Sequence, residues 1–164
     1  MSPRPGFVLE VDRSTPPTLF MHGEGFRLER LPVGARVIYP AEALPPLEAP
    51  GAAIRRALLH PENSEPLPAL LRPGMRLTIA FDDVSLPLPP MRRPDVRQRV
   101  IEAVLDMAAD AGVDDVELVA ALSLHRRMTE AELRHALGDR VYDAFAPRGM
   151  LTQHDAEDPD NLLY

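Results

Sequence analysis

Residues 75–83, Met75-Arg76-Leu77-Thr78-Ile79-Ala80-Phe81-Asp82-Asp83, decide the fold. Leu77, Ile79 and Phe81 alternate with Arg76, Thr78 and Ala80, the period-two pattern of a strand. The run ends in two aspartates, and a proline-rich loop from Pro87 to Pro94 follows. Pro94 suits the first position of a helix, and Asp95 suits its positive end. Val96, Val100, Ile101, Val104, Leu105, Ala108 and Ala111 form an apolar stripe at helical spacing, with Gly112 as the expected terminator. Asp114-Asp115 turns the chain into a second strand over Val116 to Ala121. Thr129 and Glu132 have the spacing of a capping box, which predicts a helix to about Leu137 with Gly138 behind it. Leu151 to His154 is a third strand. This alternation of strands and helices implies a parallel sheet with right-handed crossovers.

Upstream the reading changes. Of 19 prolines, 17 lie at or before Pro94, so the first half is turn-rich with short extended pieces. Gly6 to Val11 and Ala35 to Tyr39 read as short strands. Leu19 to Leu31 is further extended chain, broken by His22-Gly23-Glu24-Gly25, and the pieces suggest a hairpin-like entry. Leu44 to Gly51 reads as a linker. Ala52 to His60 is a short helix with Ile54, Ala57 and Leu58 on one face, stopped by Pro61. The expected fold class is therefore α/β. A Rossmann-like parallel sheet with flanking helices fills residues 51–164, and a short Pro-rich, β-containing N-terminal segment with its linker fills residues 1–50.

Composition removes several classes of function. The 164 residues carry a net charge of -7, which argues against nucleic acid as a partner. Cysteine is 0, so disulfides, thiol catalysis and cysteine-ligated zinc are excluded. All 18 basic residues are arginine, so no Schiff base, lysine-tethered cofactor or P-loop can form on these residues. Tryptophan is 0, and a base-stacking surface is not expected. No apolar run is long enough to span a membrane and Met1-Ser2-Pro3-Arg4-Pro5 opens no secretory signal, so the expected location is cytoplasmic.

In open parallel sheets ligands bind beyond the carboxyl ends of the strands. That rule picks out three segments: Asp82-Asp83-Val84-Ser85, Ser123-Leu124-His125-Arg126 and Gln153-His154-Asp155. His125 is the leading candidate for proton transfer, because an imidazole can give or take a proton near neutrality, and it precedes a helix start that suits a base. Asp82 and Asp83 can hydrogen-bond a hydroxyl or hold a cation, or one of them can simply cap the turn after the strand. Arg126 and Arg127 can grip a carboxylate or phosphate in bidentate fashion, or stand as solvated charges, which for Arg127 is the preferred reading. His154-Asp155 has the look of an acid/base or metal pair, but neighbours on a strand point to opposite faces, and the segment from Asp155 to Asp160 reads as an acidic loop. His22, His60 and His135 read as surface residues. No HExxH, GxSxG or GxGxxG motif occurs. The residues alone support a small-molecule site on a sheet rim without naming a reaction, and no metal site is assigned.

At these same segments the chain resembles a known family. Leu122-Ser123-Leu124-His125-Arg126-Arg127-Met128-Thr129-Glu130-Ala131-Glu132-Leu133 is similar to the His-Arg-Pro/Arg-x-Thr-x-x-Glu-Leu segment of the nickel-pincer-nucleotide lactate racemases. Asp82-Asp83-Val84-Ser85-Leu86-Pro87-Leu88-Pro89 is similar to that family's Ser-Asp-x-Thr-Arg-Pro segment. The stretch around His154 and the lead-in from Ile54 to Leu71 follow the family's order. The resemblance implies racemisation or epimerisation of a 2-hydroxy acid, by reversible hydride transfer to a nickel-pincer nucleotide, with a histidine taking the hydroxyl proton on each face. His125 matches the first of those histidines, Asp83 the aspartate and Ser85 the threonine. Asp82 and Arg126 fall beside them as substrate or cofactor contacts, with Arg127 and His154 further out.

Two departures qualify what the resemblance implies. Leu86 stands where lactate racemase has its carboxylate-binding arginine, so a substrate other than lactate is expected. The family's second histidine, its cofactor-tethering lysine and its nickel-ligating histidine have no counterpart in the matching region. The chain therefore reads as the N-terminal domain of a longer enzyme, inactive alone, whose C-terminal catalytic domain completes the site. An unpaired strand edge would favour a homodimer. The alternative is a non-catalytic module of the same fold that binds a small acid, or an interaction module whose acidic segment, Asp155 to Asp160, meets a basic partner.

Overall fold

The computed structural model describes residues 8–40, 44–84 and 91–158. The chain divides into two compact units, Met1–Pro46 and Leu47–Tyr164.

The first unit holds four short strands: β1 (Val8–Glu10), β2 (Thr18–His22), β3 (Gly25–Glu29) and β4 (Arg36–Ile38). β2 and β3 form a hairpin about Gly23, whose φ of +57° suits glycine. β1 does not join that hairpin; it pairs antiparallel with β4. Between β1 and β2, the Asp12 carboxylate accepts from the Ser14 and Thr15 amides at 2.8 and 2.9 Å, which fixes the turn. Register puts Leu19 opposite Leu28 and Met21 opposite Phe26, so one face of the hairpin is wholly apolar.

The second unit carries α1 (Pro50–Leu59), α2 (Leu67–Leu70), β5 (Arg76–Asp82), α3 (Val96–Asp110), β6 (Asp115–Ala121), α4 (Glu130–Leu137), α5 (Asp139–Phe145), a 3-10 turn (Ala146–Arg148) and β7 (Leu151–Gln153). β5, β6 and β7 make a parallel sheet in that order, flanked by helices; the fold is α/β as the alternating pattern predicts. Leu77, Ile79 and Phe81 register with Val116, Leu118 and Ala120, so these six share one face. That face meets Ile101, Met107 and Ala108 of α3, Leu133, Ala136 and Leu137 of α4, and Val141 and Phe145 of α5 in a single core. No helix among the described residues is long and apolar enough to cross a membrane.

Several elements differ from the sequence reading. α1 starts at Pro50, which occupies the first turn, so Pro50 and Gly51 are helix rather than linker. α3 starts at Val96, with Asp95 as its cap, so Pro94 lies outside the helix. The buried face of α3 comprises Arg97, Ile101, Ala103, Met107 and Ala108, while Val96 is exposed. The expected stripe counts aliphatic residues alone, whereas a satisfied arginine together with smaller side chains turns the true face away from Val96. α5 was not foreseen, because Gly138 reads as a terminator; here it ends α4 and also precedes α5. The α4 capping box forms as its spacing predicts, with Thr129 and Glu132 reciprocally bonded.

Gly138 sits at φ +77° and ψ 153°, a region open essentially to glycine, and a Cβ there would overlap the Gln98 carboxamide. Gly138→Ala should lower unfolding stability by about 1–3 kcal/mol. Urea titration followed by circular dichroism measures it.

Candidate functional site

The carboxyl end of β5 leads into Asp83, and the end of β6 leads into the turn bearing His125. Parallel pairing sets the two strand ends side by side, with Asp82 opposite Ala121. The turn after β6 is closed by the His125 amide donating to the Leu122 carbonyl at 2.9 Å. Within it Ser123 adopts φ +54°, an unusual backbone state for a residue with a Cβ. Such states concentrate where the surroundings hold a side chain in a required place.

The result is a hydrogen-bonded pair. His125 Nδ1 lies 3.0 Å from Asp83 Oδ2 and 3.3 Å from Oδ1. The Asp83 side chain is only 8% exposed, while that of His125 is 40% exposed. A carboxylate can only accept, so Nδ1–H donates to it. The neutral ring is then held in the tautomer with its lone pair on Nε2. Four residues separate His125 from the start of α4 at Glu130, beyond the first turn where a helix dipole acts, so the adjacent Asp83 replaces the dipole as its electrostatic partner.

Beneath Asp83 lies an ion pair that the sequence reading did not single out. Asp95 is fully buried and the Arg97 side chain is 9% exposed. Asp95 Oδ1 accepts from both the Arg97 amide and Nε at 2.9 Å, and Oδ2 accepts from the second terminal nitrogen at 2.8 Å. The remaining nitrogen donates to the carbonyl of Asp83 at 3.1 Å and of Asp82 at 3.3 Å. Burial pushes the Asp95 carboxyl up, but the Arg97 hydrogen bonds outweigh it and hold it below the ordinary value. The same bonds raise Arg97. The usable sequence signal was an aspartate at a helix cap followed two residues later by arginine.

The other rim candidates divide between two surroundings. Asp82 is mostly exposed and reaches Arg97 at 3.4 Å. Arg126 makes two bonds to Glu132, at 2.7 and 2.9 Å, which raises Arg126 and draws Glu132 down to about 2. Arg127 pairs with Asp155 at 2.7 Å. His154 and Asp155 follow β7, outside its strict alternation, and both line a cleft of about 600 Å³ that Arg127 and Glu117 share. Asp83 and His125 do not line this cleft. Hydrogen bonds from the Glu157 amide and then Arg127 hold Asp155 below its ordinary value. Ser85 and Leu86 lie outside the described residues, as does the end of the acidic loop at Asp160.

Gln153, within a rim segment the sequence reading picks out but given no role there, bridges the two groups: its carboxamide accepts from the Met128 amide at 2.7 Å and donates to the Met128 carbonyl at 3.1 Å. It extends the edge of β7 onto the loop after His125. Among the remaining histidines, His135 is half-buried, and its Nε2–H donates to the Met91 carbonyl at 2.7 Å. No group of three His, Asp or Glu side chains among the described residues could hold a metal ion.

Comparison with known proteins gives this arrangement its family. Residues 25–164 match the model of the lactate racemase N-terminal domain, and the chain belongs to that family. No individual curated protein matches it.

Asp83→Asn should release the His125 ring into a mixture of both neutral tautomers, read from its two ring ¹⁵N shifts. Glu132 is lowered from 4.5 to about 2, so its contribution to stability is complete above about pH 4.5 and is lost as pH falls toward 2. Glu132→Gln should therefore flatten the pH dependence of the melting temperature across that window and leave little slope of its own above it.

Proposed function

We propose that this domain supplies one wall of a 2-hydroxy-acid racemase or epimerase site, with His125 as the proton-transferring group on that wall. The observation that carries the reading is the Asp83–His125 pair at 3.0 Å, set at the carboxyl ends of adjacent parallel strands in a chain of the lactate racemase family. Asp83 holds Nδ1, leaving Nε2 to take the proton from a substrate hydroxyl as the carbon-bound hydrogen leaves as hydride. When the reaction runs in the opposite direction the same nitrogen gives the proton back, while the hydroxyl proton on the other face is handled by a group outside this chain. The nearly buried Asp83 carboxylate stabilises the imidazolium formed between these two moments and keeps the ring from turning.

The family resemblance brings a nickel-pincer nucleotide with it, and the residues of this chain do not fit the tether or the metal. The sequence contains no lysine, and the described residues gather no three metal-ligating side chains. The hydride acceptor is therefore assigned to residues and groups outside this chain, and the domain's own part is proton handling and substrate orientation. A domain named as N-terminal fits a site completed from another domain. Cytoplasmic location accords with the same reading.

A complete enzyme carrying this domain, assayed with a panel of chiral 2-hydroxy acids, should interconvert the enantiomers or epimers of at least one. His125→Ala should reduce that turnover by about 10²- to 10⁴-fold, the usual worth of a positioned acid/base. Unchanged turnover in His125→Ala would end the reading. If no acid is turned over, but one still raises the melting temperature of the 164-residue chain, the binding-module alternative takes its place.

A further inference from the structure

We infer that Arg97 is a positioning residue for the Asp83–His125 pair, acting through the backbone of the β5 carboxyl end. The inference rests on His125 being the working group, but its test does not depend on turnover.

The geometry separates the three limbs of the guanidinium. Two of them, Nε and one terminal nitrogen, are spent on Asp95, which already caps α3 by accepting from the Arg97 amide. Capping needs no guanidinium. The third limb alone leaves the pair, and it is directed at the carbonyls of Asp82 and Asp83, at 3.3 and 3.1 Å, with the exposed Asp82 carboxylate at 3.4 Å. These are the last residue of β5 and the residue whose carboxylate holds His125. A line of contacts thus runs from Asp95 to Arg97, to the Asp83 backbone, to the Asp83 carboxylate, to Nδ1. Every member up to Asp83 is buried or nearly so.

Stability alone is a poor reason for this arrangement. A buried ion pair is often no better than apolar side chains of the same volume, because both charges must leave water. What an apolar pair cannot do is donate to two carbonyls at the point where a strand runs out. The planar fork of arginine can hold a carboxylate on one edge and a backbone on the other; a lysine ammonium, a compact point charge, cannot span both in this way.

Arg97→Lys is the first variant, since it keeps the charge opposite Asp95. The second is Asp95→Asn with Arg97→Met, which removes both charges, retains a capping oxygen and fills the space of the stem. Each is made in the 164-residue chain, with folding followed by circular dichroism and the His125 ring by ¹⁵N shifts at alkaline pH. The expected result is a folded chain in which His125 loses its single Nδ1–H form and shows the mixed tautomers of Asp83→Asn. In a complete enzyme, kcat should fall about 10- to 100-fold with KM little changed, the effect of misplacing a reacting group by an ångström or less. A lower melting temperature with His125 still in its single tautomer, in whichever variant folds, would make Arg97 merely structural and overturn the inference. Retention of turnover in His125→Ala would instead sink the functional reading while leaving the tautomer result standing.

Discussion

The buried contact between Asp95 and Arg97 is the constraint on which the second unit turns. It sits where three requirements meet: α3 needs a cap, β5 needs its last carbonyls satisfied, and two charges inside the protein need each other. One hydrogen-bonded group meets all three. Removing one partner from such a pair costs about 3–5 kcal/mol, since the survivor is left charged and unpaired in a poor solvent. That cost keeps Asp95 and Arg97 together at the α3 start, and the remaining guanidinium nitrogen then ties the β5 end to it through the Asp82 and Asp83 carbonyls. The Asp83 carboxylate follows directly from that junction, so its direction is set by a rigid part of the fold.

The loop on the other side of the pair is fixed differently. His125 belongs to a segment whose backbone is tied by Gln153 to β7, and whose side chains are tied by Arg126 to α4 and by Arg127 to Asp155. Each of these ties is more exposed than the one beneath Asp83, and exposed ion pairs contribute only about 0–1 kcal/mol. Several weak ties acting on six residues leave a loop that is ordered but adjustable. A firmly held carboxylate thus faces an imidazole carried on a more lightly held loop.

How much of this was legible in the sequence depends on how local each signal was. The strand β5 announced itself by period-two alternation, β6 by an apolar run behind Asp114-Asp115, and α4 by Thr129 and Glu132, because those features are written within a few residues. The meeting of Asp83 with His125 was legible only as a placement: strand ends in a parallel sheet gather on one rim, while contact across 42 residues depends on packing. Arg97 was hidden because a charged residue inside an apolar face contradicts the pattern used to find that face. The same arginine explains why the expected stripe, right at Ile101 and Ala108, runs on to the exposed Val96 instead of Arg97. α5 offers only Val141 and Phe145 as buried anchors, one turn apart, which is too short a pattern to recognise.

The arginines around the site bear on what the wall can recognise. Arg97, Arg126 and Arg127 are each engaged with a carboxylate, so a substrate carboxylate must displace a partner or be bound elsewhere. Displacing Asp95 would strand a fully buried charge. Displacing Glu132 would break two hydrogen bonds and strip the α4 capping box of an oxygen that serves both. Displacing Asp155 would break one contact made by an arginine that is 62% exposed, and would leave a carboxylate still held by the Glu157 amide. The order of these costs makes Arg127 the guanidinium whose partner is most easily displaced, at a position where the sequence reading prefers a solvated charge.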